Sequence, residues 1–265
     1  MQVISIPRFN SIQMISLPIS ISAAVVLLTF IFAAWQDLKT RTVIRAAWYP
    51  GAVIGGICAV LFWSEFIHVR GAALVLFISV IFACLCAAFS FLGMFGKADA
   101  KALILLSLTV PVTPFAPYIF PSLAVSTLIN AGVLTLFVPI IFLAYNIIKQ
   151  NRAPFLLMCS GRPVSGKSVK EQFGFVAETI SDENGEIQKR FVSSKDLIFS
   201  LKNNPERNTR HLREEPEKYA ERLSLLERCD TVWVTFGIPL LVPLTAGLIP
   251  ALFGVSAIDI LLSLI

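Results

Sequence analysis

Long runs without a charged side chain constrain this chain more than any other feature. The first extends from Ile19 to Trp35, and others follow from about Ala46 to Trp63, from about Ala72 to Leu92, from about Ala102, and from about Leu123 to Ile148. A helix rises about 1.5 Å per residue, so about 20 apolar residues cross a hydrocarbon core about 30 Å thick. A soluble fold has no use for so many runs of this length; a membrane requires them. Of the 265 residues, 56% are hydrophobic and 15% charged, where a soluble domain carries about 25% charged residues. The deficit is confined to these blocks.

Residues 149–230 have the opposite character. They hold 15 of the 22 Lys+Arg and 13 of the 17 Asp+Glu residues, and read as a soluble excursion. Within it, Phe173–Thr179 and Glu186–Val192 flank Asn184-Gly185, whose residues accept the positive φ angles of a tight hairpin turn. Glu214–Arg228, with Leu223 and Leu226 amid dense charge, reads as an amphipathic helix. The last apolar block, Thr231–Ile265, is broken by Pro239, Pro243, Gly247, Pro250 and Gly254 and counts as one interrupted span. The expected fold is an all-α polytopic membrane protein of about six transmembrane helices, with a small α+β cytoplasmic domain inserted before the last span. Its expected divisions are a membrane domain over 1–148, a soluble domain over 149–230 and a final span over 231–265. Residues 1–17 read as an outer-face tail or a short amphipathic segment. The Ala33-Ala34 pair resembles a leader-cleavage site, but the weakly basic N-terminus and the later spans speak against one.

With loops numbered alternately from an outside N-terminus, the basic ones (37–45, 94–101 and 149–230) fall on one side. The other side receives only Arg8 and Arg70. Basic loops stay in the cytoplasm. The net charge of +5 thus follows topology, and the near balance of acids and bases in 149–230 leaves no footprint for nucleic acid. The five cysteines form no CxxC pair, and Cys58, Cys84 and Cys86 lie in apolar runs, where small buried side chains are expected. The two histidines, His68 and His211, fall in loops on opposite sides, so neither a metal centre nor a Ser/His triad is expected.

Outside 149–230 the carboxylates are Asp37, Glu65, Asp99 and Asp259. Asp37 closes the first apolar run. Asp99 lies in the break Gly93-Met94-Phe95-Gly96-Lys97-Ala98-Asp99-Ala100-Lys101, at the start of a helix whose free N–H groups favour an anion. Two spans separate them, so both fall at one membrane face. Carboxylates at a membrane edge are costly and are commonly functional.

Gln36-Asp37-Leu38-Lys39-Thr40-Arg41-Thr42-Val43 resembles the segment after the first span of type IV prepilin peptidases. Gly96-Lys97-Ala98-Asp99-Ala100-Lys101 resembles their Gly-x-Gly-Asp-x-Lys motif, with Ala98 at the second glycine. The span count and the late soluble insert resemble the archaeal branch, the preflagellin peptidases. The resemblance implies an aspartic endopeptidase that removes a short basic leader from preflagellin- or prepilin-like precursors, with Asp37 and Asp99 catalytic and Gly96 and Lys101 shaping the site. It implies no cofactor. Without the cysteine-rich insert of bacterial relatives, cleavage without methylation is expected.

Two other readings compete. Gly161-Arg162-Pro163-Val164-Ser165-Gly166-Lys167-Ser168 fits the nucleotide-binding pattern G-x-x-x-x-G-K-[ST], which requires a strand before it, read at Pro154–Cys159, and a helix after it. Its plainer alternative is a flexible basic turn. A transporter or membrane assembly protein would use the aspartates for ion coupling or helix capping alone.

Overall fold

The computed structural model describes residues 16–69, 71–115, 122–183, 186–192, 204–257 and 260. The expectations resting on Arg8, Arg70, the Asn184-Gly185 turn and Asp259 lie outside these residues. In chain order the helices are Leu17–Thr40 (α1), Tyr49–Phe66 (α2, entered through a 3-10 turn at Arg45–Trp48), Ala72–Phe91 (α3), Lys97–Thr109 (α4), Leu123–Ile148 (α5), Phe155–Ser160 (α6), Thr209–Glu214 (α7), Ala220–Glu227 (α8) and Leu241–Leu252 (α9). Among the described residues, four segments are long and apolar enough to cross a membrane: α1, Arg45–Phe66, α3 and α5. The helices α4 and α9, with 13 and 12 residues, are shorter than a span.

The chain divides into two compact units, Met1–Thr135 with Pro239–Ile265, and Leu136–Ile238. In the first, Phe30 and Val26 of α1, Leu103 and Leu106 of α4, and Leu244 and Leu248 of α9 are fully buried in one core. Lipid tails are as apolar as leucine, so such helices associate through close packing and hydrogen bonds. Both are visible. Ser22 Oγ of α1 donates to the Thr109 carbonyl of α4 at 2.8 Å, and Ser107 Oγ donates to the Ser79 carbonyl of α3 at 2.7 Å. Thr245 Oγ1 of α9 donates to the Phe30 carbonyl at 3.2 Å. Gly51 and Gly55 of α2 let that helix settle onto α1 and α4: a methyl at Gly51 would lie 3.0 Å from Thr29 Oγ1 and 2.8 Å from Leu105 Cδ2. The Gly247 face of α9 approaches α5 just as closely, where Asn130 Nδ2 donates to the Gly247 and Val255 carbonyls at 3.1 and 3.0 Å.

The second unit carries the strands. Gly161–Val164 (β1), Gly174–Val176 (β2) and Val232–Phe236 (β5) form an antiparallel sheet in the order β1-β5-β2. Glu178–Glu183 (β3) and Glu186–Phe191 (β4) pair antiparallel as a separate two-stranded sheet. Val169, Leu212, Leu226, Val232 and Val234 are fully buried between the three-stranded sheet and the short helices. The buried Glu178 carboxylate accepts the Trp233 backbone N–H at 3.0 Å, tying the hairpin to the central strand.

Several expectations are corrected. Val232–Phe236 is not the beginning of a span but the central strand, buried on both faces; an apolar run of five residues has no periodicity to tell the two apart. Phe173–Thr179 is two short strands with different partners, because the chain leaves β5 at Ala177 to begin β3. Pro154–Cys159 is helical rather than extended. The helix expected over Glu214–Arg228 begins only at Ala220, since Pro216 holds Glu215 out of helical geometry. His211 lies in α7, not in a loop. Cys84 is exposed on the outer face of α3, while Cys58 and Cys86 are buried.

Candidate active site

The polar break of 93–101 is built from two glycines with different tasks. Gly93, at φ 73°, ends α3: its N–H donates to the Ser90 carbonyl at 3.1 Å and that of Met94 to the Phe89 carbonyl at 2.9 Å. This paired closure needs a left-handed residue, which glycine supplies without strain. Gly96 caps the start of α4, and Asp99 falls in the first turn, where the positive end of the helix dipole favours a carboxylate. A methyl group at Gly96 would lie 2.5 Å from Asp99 Oδ2. The Asp99 carboxyl therefore rests over a bare Cα. Ala98 sits inside α4 and packs against the core, in a helical conformation that asks nothing of glycine.

Asp37 lies in the last turn of α1, which continues through the charged residues to Thr40 instead of stopping at Trp35. Arg41 follows in a left-handed conformation, and its N–H donates to the Asp37 carbonyl at 3.0 Å. The end of a helix disfavours an anion, and the Arg41 charge, which acts on Asp37, offsets that. Gln36 Oε1 accepts the Ile44 N–H at 3.2 Å and so fixes the turn toward α2. Lys39 lies over the Trp35 ring, 4.1 Å from its centroid.

The packing brings these two ends together. Thr29 and Leu105 both meet Gly51, and Ser22 meets Thr109, so α1 and α4 run antiparallel. From the Gly51 level, Asp37 lies about 12 Å along α1 and Asp99 about 9 Å along α4 in the same direction, at about 1.5 Å per residue. Both carboxyl groups are half-buried, and the Asp37 charge acts on Asp99. Two carboxyl groups that feel each other's charge do not both ionise cheaply. Lys101 is exposed on α4, two residues past Asp99, and among the described residues no ion pair joins the two. Gly51, Gly55 and Ser22 escaped notice in the sequence, although the Gly51-x3-Gly55 spacing is a helix-packing signal.

The nucleotide-binding pattern is not embodied in a phosphate cradle. Gly161 begins β1 and lies against the Val234 backbone, Gly166 begins a 3-10 turn against the Leu226 carbonyl, and no long helix follows. The two glycines serve close backbone packing, so the segment is not a flexible turn either.

Residues 153–254 match the family model Archaeal Peptidase A24 C-terminus Type II. No curated protein matches the chain. The matched residues comprise most of the strand-bearing unit together with α9, and contain neither Asp37 nor Asp99. The match supports an archaeal prepilin/preflagellin peptidase family for this chain, and protease activity with it.

Proposed function

We propose that the protein is a membrane-embedded aspartic endopeptidase that removes the short basic leader from preflagellin- or prepilin-like precursors at the cytoplasmic face, with about six spans and with Asp37 and Asp99 as its catalytic pair. The observation that carries this reading is the antiparallel packing of α1 on α4, with both carboxyl groups at one end and within reach of each other's charge. One aspartate, ionised, takes a proton from water as that water attacks the scissile carbonyl. The other, protonated, polarises the carbonyl and then protonates the leaving amine. A precursor with a basic leader in the cytoplasm and an apolar helix in the bilayer presents its cleavage bond at this depth. Gly96 leaves room for the Asp99 carboxyl, and the positive charge of Lys101, two residues on, tunes the site.

The test is cleavage of a leader-bearing precursor by membranes containing the full chain. Asp37→Asn and Asp99→Asn are each expected to lower cleavage by several orders of magnitude to a small residual rate, and Lys167→Ala to leave it intact. Cleavage near the wild-type rate after either aspartate change would remove the pair from the mechanism.

A further inference from the structure

The end of α5 and the helix α6 form a surface that the peptidase reading does not use. The last turns of α5 are apolar and outward-facing, with Ile147 and Ile148 exposed. The chain then turns through Gln150, at φ 57°, with the Gln150 N–H donating to the Ile147 carbonyl and the Asn151 N–H to the Asn146 carbonyl at 3.0 and 2.9 Å. A left-handed glutamine is strained and persists only where its surroundings hold it. They do: the fully buried Asn146 side chain donates to the Met158 and Gly161 carbonyls, both at 2.8 Å, and accepts from Asn151 Nδ2 at 2.9 Å. The helix α6 is thereby clamped to the end of α5.

On that clamped helix, Leu157 points inward against Ala177 and Trp233, whose Nε1 donates to the Leu157 carbonyl at 3.3 Å. Phe155 and Leu156 point outward, 67% and 58% exposed. Two large apolar side chains held outward in succession are unfavourable in water. Lys149 and Arg152 beside them are exposed, and from Lys149 to Lys170 the sequence holds five basic residues and no acidic one. An apolar edge whose flanking charges along the chain are all basic, continuous with the end of a membrane-length helix, suits a leaflet surface with anionic headgroups.

We propose that Phe155 and Leu156, bordered by Lys149 and Arg152, form an interfacial membrane anchor that inserts into the headgroup–acyl boundary of an anionic leaflet. Apolar insertion supplies the contact and the basic residues select the lipid. The Asn146 clamp makes the anchor rigid, so the strand-bearing unit is held by two connected attachments, the exit of α5 and the α6 edge. The anchor rests on α5 crossing the bilayer and is independent of the aspartate pair.

The full chain tests this in nanodiscs holding one copy each. Nitroxide labels are placed at Phe155→Cys, Leu156→Cys and, as an exposed polar control, Lys218→Cys, in a background carrying Cys84→Ala and Cys159→Ala. Collisions with oxygen, concentrated in hydrocarbon, are compared with those of a water-soluble nickel chelate. Oxygen is expected to dominate at 155 and 156 and nickel at 218. Anionic lipid should strengthen the oxygen preference relative to zwitterionic lipid, and Lys149→Gln with Arg152→Gln should erase that difference. Nickel dominance at 155 and 156 would overturn the anchor, and so would shielding from both reagents, which would mean that protein covers the surface. A lipid response unchanged by the Lys149 and Arg152 substitutions would overturn their part in it.

Discussion

Ser22 Oγ donates a 2.8 Å hydrogen bond to the Thr109 carbonyl, locking α1 and α4 antiparallel between residues 87 positions apart. Everything proposed for Asp37 and Asp99 depends on this pairing, because it brings the C-terminal end of one helix to the N-terminal end of the other. Ser22→Ala removes the donor and leaves a buried carbonyl without it. A loss of about 1–3 kcal/mol in stability is expected, read as a lowered unfolding midpoint in detergent, with cleavage weakened in parallel.

Gly96→Ala tests the seat of the Asp99 carboxyl. The added methyl falls 2.5 Å from Oδ2, so the carboxyl must rotate away, and alanine, a poorer N-cap than glycine, adds a small loss of stability. Misplacement by about 1 Å costs a catalytic group about 10²-fold. Cleavage should fall by about that factor, with only a small drop in the unfolding midpoint. Wild-type rates would show that the observed Asp99 rotamer is not the working one.

Gly55→Val tests the fit of α2. Its Cβ would lie 3.1 Å from Thr109 Cβ and 3.2 Å from Ser22 Oγ, with further branches beyond. Overpacking of this kind costs about 1–3 kcal/mol, measurable by thermal unfolding. Gly56→Val, on the open side of the same helix, should cost much less and is the matched control.

Cleavage should follow a bell-shaped pH profile. The active form carries one proton on the pair. Below the lower apparent pKa both groups are protonated and the base is lost; above the upper one both are ionised and the acid is lost. Steady-state cleavage across pH checks this. A rate that rises monotonically through the whole range would point to a single titrating group.

Much of this arrangement was legible in the sequence. Leu123–Ile148 appears as read, because an uncharged run of that length has no other good conformation. The break at 93–101 was legible through Gly93 and Gly96, and parity led to the expectation that Asp37 and Asp99 share one face. The relation of α1 to α4 was hidden, since Ser22 and Thr109 look like ordinary small residues until another helix meets them. Val232–Phe236 was hidden for a different reason: a strand buried on both faces reads like the start of a membrane span. Gly161–Ser168 misled because its glycines answer to the backbones of Val234 and Leu226, not to a phosphate.

The central claim is that Asp37 and Asp99 act as one unit, and a double-mutant cycle tests it most directly. Precursor cleavage is measured for Asp37→Asn, Asp99→Asn and the double variant, each first shown to fold by its unfolding midpoint. Groups that act together lose their contribution only once. The double variant should therefore be no slower than the slower single variant. A double variant whose loss is the product of two separate losses would contradict the account.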